Sequence, residues 1–469
     1  MDTEKYTNEF QQFREQLYQN FNKRADTAME LVDALCSYPS ASSPVELSLS
    51  PVFRRSYTAL FKAMAEVEWK SVPLAQLVAT YLPQPEQRPF WLLGVDVTSQ
   101  PRQFALTLSD RGYVYQPNQV AGNKPVTIGH QYSAVALLPE KETGVSSSWV
   151  VPLSTQRIST EEDKELVGAD QVKALLEDQS LPFHGELIVE VGDTSYSKPA
   201  YLHANRDHDN LVTIARVRSN RTLYNQFVYE DGERPAHRPK RYGEAFKLPD
   251  DTTWREPDME ITFSETSRRG KTYTVKVQGW RNMLMPGKNK PERIPMDQHP
   301  FTLICITRYD EEGNQAFKKP LWLIVVGERR DELSLMDIYE AYSSRADLEH
   351  FFRFGKQKML LTASQTPDTL REERWWQVVH IAYAMLWIAR HLAQHLPRSW
   401  ERHLPTTKRQ EMTPTLVRRD FERLIQQLGT PARPPKPRGK SPGRPKGMKL
   451  PPRPRREIVV KGKKQAQAA

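Results

Sequence analysis

The residues from Tyr342 to Lys356 read Y-S-S-R-A-D-L-E-H-F-F-R-F-G-K, and this stretch decides the fold. Tyr342, Arg345, Glu349 and Lys356 fall at offsets of zero, three, seven and fourteen. On a helix turning roughly 100° per residue, these offsets return to about 0°, 300°, 340° and 320°. The spacing therefore predicts one helical face carrying all four. Ile338, Ala341, Leu348 and Phe352 lie mostly beside it and give the helix an apolar side to bury. Any one of the four suits a solvated face with an i,i+4 charge pair. Together they suit a phosphate backbone, with Glu349 holding a metal ion and Arg345 and Lys356 neutralising phosphates.

Composition narrows the classes. The 469-residue chain can hold two to four domains, and 38% hydrophobic with 26% charged residues fits a soluble globular protein. No apolar run approaches the ~20 residues of a membrane span, and the start, MDTEKYTNEF, lacks the pattern of a secretory signal. Cys36 and Cys305 belong to no metal-spacing motif, which points to a reducing compartment and no zinc site. The net charge of +10 is unevenly placed: Pro431 to Ala469 carries thirteen Lys or Arg and one acid, Glu457. That tail holds +12, so the other 430 residues carry −2 and must meet a polyanion through local patches.

Along the chain, residues 1–85 read as a helical domain broken by S-Y-P-S-A-S-S-P at 37–44. Its Arg54, Arg55 and Lys62 suit either a grip on DNA or a packing module. At 90–99, F-W-L-L-G-V-D-V-T-S is a buried strand ending in Asp96 and Thr98. Strand-like runs follow at 103–108, 132–138 and 148–153, then a helix over 160–177. The run 186–197, E-L-I-V-E-V-G-D-T-S-Y-S, supplies another strand ending in Asp193, and 211–217 a further one. Residues 86–217 are thus the first part of an α/β core. Between Asp193 and Glu349 lie 155 residues, and 218–320 reads as a β-rich insertion domain dotted with cations. The core resumes over 321–430, with Leu321–Val326 as a strand and Arg374–Leu396 as a core helix. The Pro-rich basic tail, 431–469, cannot bury enough apolar surface to fold alone and is expected to be disordered.

The spacing Y-x2-R-x3-E-x6-K resembles the signature of one branch of bacterial insertion-sequence DDE transposases, and the subfamily it most resembles is insertion-sequence-701-like. The resemblance implies an RNase H-like mixed sheet flanked by helices, interrupted by an insertion, with Asp96, Asp193 and Glu349 as the catalytic acids. It also implies an N-terminal domain that binds the transposon ends, a homodimer on paired ends, target DNA as partner, and a cytoplasmic, nucleoid-associated location in a bacterium. Tyr196, three residues after Asp193, matches the family's aromatic after the second acid. Some relatives stack a tryptophan of the insertion on a flipped base, for which Trp280 and Trp254 are the candidates. In the tail, Gly443, Arg444 and Pro445 resemble an AT-hook core, with Arg444 as a DNA contact.

Phosphodiester cleavage needs an activated oxygen, a stabilised anionic phosphorus centre and a neutralised leaving oxygen. Two Mg²⁺ ions about 3.5–4 Å apart meet all three needs. Mg²⁺, or Mn²⁺ in its place, favours hard oxygen ligands. Asp96 is accordingly expected to bridge both ions, with Asp193 and Glu349 each completing one site. Strand transfer from a 3′-OH would follow cleavage. Two other readings share the residues: an RNase H-like nuclease that cuts without joining, and a transposase-derived DNA-binding protein.

Overall fold

A computed structural model describes residues 2–69, 73–116, 124–141, 149–227, 240–267, 270–287, 294–396, 398, 412–437, 439, 443, 445–449 and 451–460. In chain order the first elements are α1 (Asp2–Asn20), β1 (Phe21–Lys23), α2 (Ala25–Ser37), α3 (Tyr57–Glu66), β2 (Glu68–Trp69) and α4 (Leu74–Val78). Next come β3 (Trp91–Pro101), β4 (Gly112–Tyr115), β5 (Val126–Leu137), β6 (Val151–Ile158), α5 (Lys164–Glu177), β7 (Ile188–Gly192), α6 (Pro199–Ala204) and β8 (Leu211–Val217). Then follow β9 (Thr222–Gln226), β10 (Tyr242–Lys247), β11 (Met259–Thr266), β12 (Thr272–Leu284), β13 (Phe301–Tyr309) and β14 (Leu321–Val326). The chain continues with α7 (Leu335–Ser344), α8 (Ala346–Lys358), α9 (Thr369–His395) and α10 (Pro414–Leu428).

The apolar run at the start of β3 is buried on both faces, as a central strand requires. β3 pairs antiparallel with β5 and parallel with β7, and β7 pairs parallel with β8. β6 closes the other side by pairing antiparallel with β5. A parallel neighbour needs a crossover, and α5 supplies it between β6 and β7. The order β6-β5-β3-β7-β8 is that of an RNase H-like sheet. The mixed α/β architecture with a large sheet and several helices is the one expected.

The sheet does not end at β8. β14 pairs antiparallel with β8 and, on its other edge, with β13, and β12, β9 and β10 carry the ladder onward. The strands of the 218–320 interval are therefore bonded into the same sheet as the core. β11 alternates half-buried and exposed positions, the pattern of a strand with one wet face.

Two expectations need correction, on the 103–108 run and on the tail, and the choice left open for Arg54 and Arg55 narrows to packing. Residues 103–108 are turns, not a strand. Two buried arginines hold this loop: Arg111 takes the carbonyls of Arg102, Gln103 and Leu108, and Arg102 reaches Ser364, Gln365 and Thr366. Next, Arg54 and Arg55 do not offer free charge to DNA. Both pair with Glu30 and donate to the Arg433 carbonyl, so they serve packing. Lastly, the tail is not wholly undocked. Ala432 is buried, and the backbone nitrogens of Arg456 and Val459 donate to Leu106 O and Arg111 O, both at 2.8 Å. Carbonyls of the body and the half-buried Asp26 supply the pairing that the tail's own composition lacks.

α9 anchors the helical layer. Asp368 caps it by accepting from Arg371 N, and its Trp375, Trp376 and Trp387 are buried. Trp376 stacks on Tyr132 of β5 with ring centroids 3.9 Å apart. α1, α2 and α10 also pack on α9, so the N-terminal helices and the C-terminal ones share one core. A buried Arg14–Asp33 ion pair joins α1 to α2 there. Among the described residues no helix is long and apolar enough to cross a membrane.

Candidate active site

The parallel register of β3 and β7 places the two aspartates. Gly94 stands opposite Val191, and Asp96 and Asp193 each lie two residues further on. Neighbouring strands run about 4.8 Å apart, so both acids emerge at the same level of the sheet. Asp193 leaves β7 as the cap of a short 3-10 turn and accepts from Ser195 N at 2.7 Å. It is thus a capping residue and a cavity-lining one.

Glu349 comes from the other half of the chain. α7 starts with a capping box, Ser334 with Asp337, and ends at Arg345, where α8 begins. The single helix expected through 342–356 is thus broken into two at Arg345. The break leaves Tyr342 on α7 beside a neighbouring cavity, while Arg345 and Glu349 border both. A Cβ built on Gly94 would stand 2.5 Å from Leu348 Cδ1. The missing Cβ is the space that the Leu348 side chain fills against β3, and Leu348 immediately precedes Glu349.

Asp96, Asp193 and Glu349 therefore line one cavity of about 600 Å³, together with Lys164, Glu165, Tyr196, Arg345, Arg353 and Lys356. Arg345 holds two of the acids: one nitrogen lies 3.1 Å from Asp96 Oδ2 and another 2.6 Å from Glu349 Oε1. Burial raises Asp96 from the usual carboxylate range to about 6. Arg345 opposes that rise, and the negative charges of Asp193 and Glu349 add to it. Burial likewise lowers the Lys356 ammonium, with Asp96 opposing, and raises the half-buried Tyr342 phenol.

The chemistry of this donor set fits a hard divalent cation: three carboxylates on one cavity and a guanidinium across two of them. Among the described residues, however, no three His, Cys, Asp or Glu side chains are grouped closely enough to hold one metal ion. Here Arg345 occupies the carboxylates' attention. The Tyr196 hydroxyl is buried at the cavity wall and, among the described residues, has no hydrogen-bond partner; burial and the nearby Asp96 and Asp193 charges hold its phenol well above the usual range.

Some sequence candidates lie elsewhere. Trp280 is buried and donates from Nε1 to Arg255 O at 2.7 Å, packed with Phe246, Trp254 and Trp322. Trp254 is half-buried and donates to Lys247 O. Neither tryptophan lines the acid cavity or its neighbour, so stacking on a base would require either to leave its packing. Arg444 lies outside the described residues. Sequence reasoning missed the role of Gly94, although a glycine inside an apolar strand signals close approach. It also missed Lys164 and Glu165, which sit at the start of a helix with no spacing signal.

A family model for DDE superfamily endonuclease matches residues 16–287, more than half of the chain. The chain belongs to the DDE superfamily endonucleases. The matched span includes Asp96 and Asp193 and stops before Glu349. No curated protein matches the chain.

Proposed function

We propose that this DDE superfamily endonuclease is the transposase of a bacterial insertion sequence, of the Y-x2-R-x3-E-x6-K branch and insertion-sequence-701-like. It would cut its element's ends and join the 3′-OH to target DNA, working as a homodimer on paired ends. The observation that carries this reading is the meeting of Asp96, Asp193 and Glu349 on one cavity, with Arg345 and Lys356 beside them. Asp96, Asp193 and Glu349 would hold divalent ions, Mg²⁺ or Mn²⁺. When bound, these would supply an activated nucleophile and charge neutralisation at phosphorus. Arg345 would then release the carboxylates and, with Lys356, take phosphate oxygens. Tyr196 would donate its hydroxyl within the cavity, and Tyr342 would border the DNA path.

The test is cleavage and joining of end-bearing DNA with Mg²⁺ present. Asp96→Asn, Asp193→Asn and Glu349→Gln should each abolish cutting while DNA binding persists. Cutting retained in any of them would remove that residue from the site. Cutting by the wild type without joining of a supplied 3′-OH end would leave the nuclease reading in its place.

A further inference from the structure

We infer that the C-terminal segment 456–459 is a latch on the core, and that it holds the basic arm preceding it as a fixed DNA phosphate contact beside the acid cavity. This rests on DNA being the substrate, and adds where the tail acts.

The docking has the marks of a built contact. β4 is a terminal strand of the sheet, and its exposed edge would otherwise offer unpaired backbone groups. Val459 N donates to Arg111 O, immediately before β4, and Arg456 N donates to Leu106 O. The buried Arg111 guanidinium, already holding three carbonyls of its own loop, donates a further bond to Arg456 O at 3.1 Å. A buried cation needs its donors filled, and the tail adds a fourth acceptor for the five N–H groups of this guanidinium. Upstream, the same tail is held a second time, by Arg433 N on Asp26 at 2.9 Å and by Arg54 on Ala432 O at 2.7 Å.

Position gives the latch its consequence. Val459 and Val460 border a cavity of about 510 Å³ that shares Gln131, Lys164 and Glu165 with the acid cavity. The arm leading into the latch exposes Lys446, Lys449, Arg453, Arg455 and Arg456. Residues 1–430 carry net −2, so the tail to which this arm belongs is the main store of positive charge. A pinned cationic arm binds a duplex with an effective concentration that a free one lacks.

The experiment uses the full chain and a fluorescent duplex of mixed sequence. Val459→Pro removes the N–H that meets Arg111 O and leaves the charge unchanged; Val459→Ala keeps the N–H. A third variant, Lys446→Gln/Lys449→Gln/Arg453→Gln/Arg455→Gln, removes charge with the latch intact. Val459→Pro should speed exchange of the Arg456 amide, which donates to Leu106 O, and weaken duplex binding about tenfold, with Val459→Ala like wild type. The charge variant should weaken binding and flatten its salt dependence while keeping amide protection. Unchanged exchange in Val459→Pro would overturn the latch, and faster exchange with unchanged affinity would overturn its link to DNA. If the wild type bound no duplex, the DNA reading itself would fail instead.

Discussion

Arg345 lies 3.1 Å from Asp96, 249 residues away in the chain, and this contact ties the α7–α8 junction to the central strand. Its charge lowers the Asp96 carboxyl against burial and two like-charged neighbours. Arg345→Ala should therefore push Asp96 higher, and an opposite charge at this range is worth about 1–3 pKa units. The acid limb of the cleavage pH profile should move upward by at least about one unit, with Arg345→Lys in between. An unmoved limb would show that Asp96 ionisation does not govern the rate.

The wild-type profile follows from the same group. With Asp96 at about 6, cleavage should be level above neutrality and fall about tenfold per pH unit well below 6.

Stability should run the other way. The folded value of about 6 exceeds the ordinary 3.8, so between those values the folded chain holds the extra proton. Stability from this group declines as pH rises from 3.8 towards 6, and the cost persists at pH 7. Asp96→Asn should then stabilise the fold at pH 7 by about 1–3 kcal/mol, the Arg345 contact already being included in that raised value, while abolishing cutting. Urea midpoints at pH 5 and pH 7 would check it: the gain should shrink at the lower pH.

Gly94 sets the approach of α8. Gly94→Ala should displace Leu348 and with it Glu349, costing about 1–3 kcal/mol and lowering the cleavage rate more than DNA affinity. Adding Leu348→Ala should return part of the loss, which a double-mutant cycle would read.

Glu372 of α9 is fully buried between Arg102 at 3.0 Å and His130 at 2.6 Å, with the Tyr132 hydroxyl also at 3.0 Å. Glu372→Ala would leave a buried cation unpaired, at a cost of about 3–5 kcal/mol. Chemical denaturation would measure it, and a loss under about 1 kcal/mol would mean water replaces the carboxylate.

The strands that carry the acids were legible because each is a short apolar run ending in a polar break, as in F-W-L-L-G-V-D and E-L-I-V-E-V-G-D. Spacing also gave the Tyr342–Lys356 set, since four residue types at fixed offsets constrain a helix strongly. What spacing could not give was the break at Arg345, whose helical φ of −56° and ψ of −29° leave no composition signal. The 103–108 loop misled because its alternation looks like a strand, whereas Arg111 holds the carbonyls of Arg102, Gln103 and Leu108 and Arg102 reaches across to 364–366. Docking of the tail was hidden for a similar reason: its partners, backbone carbonyls and the side chains of Asp26, Arg54, Arg55 and Arg111, lie over 300 residues earlier.

Two of the three acids lie in the first half of the chain, and the last reaches the cavity only through α8. Synthesis proceeds from the N-terminus, so an emerging polypeptide has a nearly finished sheet and two aspartates, but no third acid. Such fragments should be unable to nick DNA. On the proposed catalytic set, a cell producing this protein would be spared damage from interrupted translation products, because the capacity to cut would arrive with the final third of the message.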